Sequence, residues 1–393
     1  MNLENKNGCN DRVTRFCFRR DFLKKLAKSS IIYGGIPFLY PPQNTFGKSK
    51  TPESLNYKRA DFWHKIDGTQ NVQCTLCPHN EILKPNQTGL CRVRKNSGGE
   101  LVTLGYNQPC IMNIDPIGKN PLYHFYPDIS VLSIAHAGCN LRCNYCQNWQ
   151  FAFKSPEQTR NVEEFYQEKT IEKIIQREIK GVSFTYTEPA CCPEFIIEFA
   201  NRCKKQDIKT TICTSGYIHK KPMKEIIRAF DAVTVTFKGA TQKFYKEITG
   251  SDISTIMDTM VEVKSRGTWL EVATLILPSV NDSTQSLRFM AQWIRNNLGE
   301  NTPWIIEKFE PQYKLKNLPP TSQKTIDKAL EIGYDSGLKF VYVSNLAPHE
   351  ANHTYCPNCK EVLVKRLGFK VINNSIVNGK CPSCQTGIPG SWA

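Results

Sequence analysis

The stretch "SVLSIAHAGCNLRCNYCQNW", residues 130–149, joins an apolar, extended run to a tight set of cysteines. The run up to His136 has the composition of a strand buried on both faces. Behind it, Cys139, Cys143 and Cys146 are spaced C-x3-C-x2-C. Zinc sites and iron–sulfur clusters ordinarily take four protein ligands. Three thiolates on one loop satisfy three corners of a four-iron cluster and leave the fourth to a ligand that is not protein. A zinc ion borrowing a distant fourth ligand, or three buried core cysteines, are the competing readings. A position at the end of a strand, where βα folds build their sites, favours the cluster over both.

Outward from this loop the chain alternates strand-like and helix-like segments from about residue 128 to 345. The strand-like stretches are "SVLSIAHAGC", "VSFTYTEP", "IKTTICTSG", "DAVTVTFKG", "WLEVATLILPSVND", "PWIIEKFEP" and "LKFVYVSN". Helical periodicity fills the gaps, with helices expected near 252–266 and 322–336. Repeated βα units of this length imply a parallel sheet with right-handed crossovers. The strands end in polar or Gly/Pro clusters at Cys139, Glu188, Ser215, Lys238, Asn281 and Glu310. In a βα barrel those ends share one face, where active sites are built. The expected fold is therefore α/β, a partial (β/α)6 barrel. The expected organisation is a basic segment over 1–50, a cysteine-containing extension over 57–125, a core barrel over 126–345 and a cysteine-rich unit over 350–393.

The composition, 40% hydrophobic and 10% aromatic over 393 residues, belongs to a folded protein and excludes a disordered one. The 17 cysteines fall largely in C-x2-C pairs, a metal-site pattern rather than a disulfide framework. The net charge of +15 is unevenly placed: the first 50 residues hold ten Lys or Arg against three Asp or Glu, and the other 343 residues share the remaining +8. The dilute remainder gives only weak support for a nucleic-acid partner. Within that basic segment "RRDFLKK", residues 19–25, resembles a twin-arginine export signal, which serves proteins folded around a cofactor before transport. The apolar stretch Ile31–Tyr40 is broken by Gly34, Gly35 and Pro37, too short for a membrane span. The expectation is a periplasmic or membrane-tethered protein; a basic amphipathic helix on a cytoplasmic protein is the alternative.

The loop "CNLRCNYC", with Tyr145 before its last cysteine, fits the CxxxCxxC signature of radical S-adenosylmethionine enzymes. Over about residues 60–393 the chain resembles one branch, the radical enzyme of the AmmeMemoRadiSam system, a relative of pyruvate formate-lyase activating enzymes. The matching stretches are "CTLCPH", "GLCRVRKNSGG", "DPIGKNPLYHFYP", "AGCNLRCNYCQNW", "FTYTEP", "LILPSVNDS", "PPT" and "VYVSN", in order, with two C-terminal C-x2-C pairs. The resemblance implies a 4Fe-4S cluster on Cys139, Cys143 and Cys146, and S-adenosylmethionine bound at the open iron. It further implies a low-potential electron donor and a protein or peptide substrate. Thr187 and Glu188 match positions near the amino end of the cofactor, and Thr214, Ser215 and Lys238 match later cofactor contacts more loosely. The chain departs from the family at Thr236-Phe237-Lys238, where Asp-Leu-Lys is usual, and at Asn80-Glu81, where a cysteine is lost. Two family histidines are replaced by Ile305 and Glu310, so chemistry resting on them is absent or moved.

Cys356, Cys359, Cys381 and Cys384 form a C-x2-C…C-x2-C set suited to one closed tetrahedral zinc site, with iron as the rival. Cys74, Cys77 and Cys91 offer three thiolates that His79 or Cys110 could complete, or that bind no metal. Cys191, Cys192, Cys203 and Cys213 fall in helix or strand patterns, as small core hydrophobes do. Two other functions fit parts of the sequence: an RNA-modifying radical enzyme, and a non-catalytic iron–sulfur or zinc-ribbon protein.

Overall fold

The structure, a computed structural model, describes residues 57–159, 162 and 165–392. The twin-arginine-like run at Arg19 and Arg20 lies outside these residues. No helix among those described is long and apolar enough to cross a membrane.

The core is an eight-stranded sheet: β1 (Pro109–Pro116), β2 (Ser130–His136), β3 (Gly181–Phe184), β4 (Lys209–Thr214), β5 (Ala232–Thr236), β6 (Trp269–Ile276), β7 (Trp304–Lys308) and β8 (Val341–Ser344). The strands lie side by side in chain order. β2 to β8 are parallel, and β1 adds to the β2 edge antiparallel. Six helices follow the parallel strands: α1 (Gln167–Gln176), α2 (Pro193–Lys204), α3 (Lys220–Ala229), α4 (Ile253–Ser265), α5 (Thr284–Leu298) and α6 (Gln323–Asp335). These are the six βα units of the expected partial barrel, with β8 as the closing strand. No ladder joins β1 to β8 among the described residues, so the barrel stays open on one side.

Local sequence explains the elements. One face of β3 to β8 is mostly apolar, with Val182, Phe184, Ile212, Val233, Val235, Val272, Ile306 and Val343 no more than 1% exposed against the helices. Each such side chain contributes about 1.5–3 kcal/mol when withdrawn from water. Asp252, Ser283 and Ser322 cap α4, α5 and α6 by accepting from backbone N–H groups of the first turn. Gly138, between β2 and the cysteine loop, is tightly packed: its φ is +99°, and an added Cβ would lie 2.4 Å from Val93 and 2.5 Å from the Cys91 carbonyl.

The inward face of the sheet is filled from below. Residues 117–126, within "DPIGKNPLYHFYP", thread under the strands as a floor. Thr234 donates to the carbonyls of Asn120 and Pro121 at 3.1 and 3.0 Å. Glu271 accepts from the backbone N–H groups of Tyr123 and His124, both at 2.8 Å. The sheet therefore begins before residue 126: the extension hands β1 and this floor to the barrel. Residues 354–374 form a small three-stranded antiparallel sheet against the same floor. Its Arg366 donates to the Tyr123 carbonyl at 2.8 Å, and Leu363, Cys356, Cys381 and Trp392 share a core with Tyr123, Ala273, Ile305 and Tyr342. With the bottom plugged, only the C-terminal ends of the strands are free to hold a ligand.

Candidate active site at the barrel mouth

The three-cysteine loop leaves the end of β2 and is braced from several sides. The Cys139 N–H donates to the Cys91 carbonyl at 3.0 Å, and Arg142 reaches the Leu90 carbonyl. The N–H groups of Arg142 and Asn144 donate to the carbonyls of Thr249 and Ile248 at 2.7 and 2.9 Å. His79 bonds the Asn140 carbonyl at 2.8 Å, and Asn140 donates to Tyr217 at 2.6 Å. A loop held this way has its geometry set before any ligand arrives. Burial raises the pKa of all three thiols, that of Cys146 to about 12. The Glu188 carboxylate and neighbouring sulfurs add to the rise at Cys139, and Cys143 adds to it at Cys146. Three thiols on one braced loop fit a metal cluster, which takes them as thiolates and removes the cost of an unpaired charge.

Glu188 follows β3 and is 2% exposed. Its Oε1 accepts from the Thr214 hydroxyl at 2.6 Å and the Ala190 N–H at 3.2 Å. Its Oε2 accepts from the Ser215 hydroxyl and N–H at 2.6 and 2.8 Å. Four donors fill a carboxylate's acceptor positions. Glu188 thus ties the turn after β3 to the turn after β4. Thr187 donates to the His136 carbonyl at 2.7 Å, tying the same turn to the end of β2.

Lys238 stands past the end of β5. Burial works against its charge, but the sulfurs of Cys143, Cys139 and Cys213 and the Glu188 carboxylate outweigh it, and its pKa lies above the usual lysine value. Its ammonium sits 6.0 Å from the centre of the Tyr145 ring. Asn281 holds its backbone, donating to the Lys238 and Leu275 carbonyls at 2.8 and 2.9 Å. The expected residues Cys139, Cys143, Cys146, Thr187, Glu188, Thr214, Ser215 and Lys238 are therefore gathered at one end of the barrel. Glu310 is not among them; it is exposed and pairs with Lys308.

A sequence-family model described as the radical SAM superfamily matches residues 133–290. An uncharacterized protein of Methanocaldococcus jannaschii is 37% identical over 333 residues, covering 83% of this chain and 97% of its own length. The pyruvate formate-lyase-activating enzyme of Clostridium pasteurianum is 30% identical over 203 residues, 46% of this chain and 80% of its own length. The chain belongs to the radical SAM superfamily. It is an enzyme, and membership implies a four-iron cluster and S-adenosylmethionine as its cofactors. Among solved structures, a domain of the pyruvate-formate lyase-activating enzyme from Bacteroides vulgatus aligns at 19% identity with a TM-score of 0.37, over 42% of this chain and 99% of that one.

Two residues of this radical SAM site were not legible in the sequence. Tyr186, just before Thr187, has φ +68°, a left-handed conformation that costs about 1–3 kcal/mol outside glycine. Its phenol donates to Asp115 of β1, and its carbonyl accepts from Asn148 of the cysteine loop at 2.6 Å. Glu307, in β7, faces the barrel interior. Outside the radical SAM site, the ligand atoms of Cys356, Cys359, Cys381 and Cys384 all lie within 4.8 Å of one another. Among the described residues this is the one group whose ligand atoms lie that close together.

Proposed function

We propose that Cys139, Cys143 and Cys146 hold a four-iron cluster, and that the enzyme acts on a protein or peptide as activating enzymes do. The observation that carries this reading is three thiols on one braced loop, Cys143 buried and Cys139 and Cys146 half-buried, with the Lys238 ammonium close to Cys143 and Cys139. When bound, the cluster would supply one electron that splits S-adenosylmethionine into methionine and a 5′-deoxyadenosyl radical able to take hydrogen from a substrate. The protein's own part is binding and orientation. Lys238 offers a positive charge beside the cluster loop, suited to the cofactor's carboxylate. Thr187, Thr214 and Ser215 line the rim, and Glu188 holds the last two in place. The Clostridium pasteurianum relative, a pyruvate formate-lyase-activating enzyme, is named for acting on another enzyme, which supports a polypeptide substrate. We assign zinc to the C-terminal quartet, since a closed four-sulfur site suits a structural role.

Anaerobic reconstitution tests the cluster ligands. Wild-type protein is expected to take up about four irons and four sulfides per chain at this site, and Cys143→Ala to lose them, because two thiolates cannot hold three corners. Undiminished iron and sulfide in Cys143→Ala would place the cluster elsewhere.

A further inference from the structure

The upper inward face of the barrel carries a carboxylate with nothing to bind. Thr234 of β5 and Glu271 of β6 are partners in register and both reach the floor, so their side of the sheet faces inward. Alternation puts Ala273 and Leu275 on that side as well. Ala273 pairs with Ile305 and Leu275 with Glu307, and β8 continues the two rows with Tyr342 and Ser344. Ala273, Ile305 and Tyr342 belong to the floor's core. In the row above them, at the strand ends, Leu275 and Glu307 are partly exposed while Ser344 is buried.

Glu307 is partly buried there, and among the described residues its carboxylate makes no hydrogen bond or ion pair. The one cation near it is Lys238, which lies beyond ion-pair distance and faces the cysteine loop, Cys213 and Glu188. A carboxylate partly withdrawn from water without a partner is costly, and a cation that reaches it offsets part of that cost. Leu275, beside it in the same row, is partly exposed and offers an apolar strip about one strand spacing wide. An aliphatic stem lying on an apolar residue, with a charged head at a carboxylate, is how long basic side chains bind.

We propose that Leu275 and Glu307 line the substrate pocket, and that it takes a lysine or arginine side chain of the polypeptide substrate. This rests on the reading above that the substrate is a protein or peptide. Leu275 supports the stem and Glu307 receives the ammonium or guanidinium. The pocket lies across the barrel interior from the cysteine loop on β2, so a side chain seated in it is exposed to the space between.

The groups facing Glu307 are Lys238, Cys213 and Tyr123. Burial raises its pKa to about 7, against the pull of Lys238. The ionised form binds a cation, so affinity rises as pH increases through about 7. The test is equilibrium binding of two blocked tripeptides, Gly-Arg-Gly and Gly-Glu-Gly, to the reconstituted full chain without reductant. Wild type is expected to bind the arginine peptide at least tenfold tighter, with that preference growing from pH 6 to pH 8. Glu307→Gln should abolish the preference and its pH dependence, and Glu307→Lys should invert it. Equal binding of the two peptides by wild type, or a preference that survives Glu307→Gln, overturns the pocket. Cofactor cleavage, assayed separately with reductant, distinguishes the two readings: a chain that discriminates the peptides yet never cleaves S-adenosylmethionine loses the radical reading and keeps the pocket.

Discussion

Glu188 accepts four hydrogen bonds from Thr214, Ser215 and Ala190, and this changes what its substitution should do. In Glu188→Gln an amide replaces one oxygen, and two donors lose their acceptor. Leaving buried donors unpaired costs about 1–3 kcal/mol. The expected outcome is a lower urea midpoint together with weaker S-adenosylmethionine binding, because Ser215 and Thr214 are no longer held. An unchanged midpoint would show that the two turns do not depend on this carboxylate. At this scale the sequence was uneven. Cys139, Cys143 and Cys146 were legible because a ligand set on one loop is a local pattern. Glu307 was not, because its meaning comes from strand register: it matters only once Leu275 and Ser344 are its neighbours and the floor fills the layer beneath. Tyr186 was hidden for a similar reason, its partners Asp115 and Asn148 being distant in the chain.

The cysteine loop is an element whose shape depends on the N-terminal extension. Gly138 lets the chain turn at φ +99° while packing on Val93 and the Cys91 carbonyl. Gly138→Ala adds a Cβ to a contact with no room and to a backbone conformation that side chains disfavour. Strain of about 1–2 kcal/mol from φ and about 1–3 kcal/mol from overpacking are both expected. The protein should show a reduced Tm and retain less than half the wild-type iron after reconstitution. Wild-type iron content and Tm in Gly138→Ala would mean that the loop does not rely on this docking. The strand and helix order around the loop was legible because period and turn residues are local signals. The floor was not: "DPIGKNPLYHFYP" was visible as a motif, but nothing local says that Asn120 and Tyr123 will meet Thr234 and Glu271 more than a hundred residues away.

Across the whole molecule, the C-terminal sheet is part of the barrel's own support. Arg366 bonds Tyr123, and Cys356 and Cys381 are fully buried in a core shared with Ile305 and Tyr342. A zinc ion on the quartet would therefore stabilise the floor as well as the small sheet. Full-length protein should contain one zinc per chain by elemental analysis. Cys381→Ser should lose it and lower the Tm of the whole chain rather than of a separate minor transition. Loss of zinc with an unchanged main transition would show the two parts to be energetically independent.

The central claim is that a three-thiolate loop over a plugged barrel prepares S-adenosylmethionine for reductive cleavage. Its most direct test is product analysis of the anaerobically reconstituted protein with a strong reductant and S-adenosylmethionine. The account predicts methionine and 5′-deoxyadenosine in equal amounts, with neither formed by Cys143→Ala. Wild-type protein carrying a complete four-iron cluster that releases neither product under these conditions would contradict it.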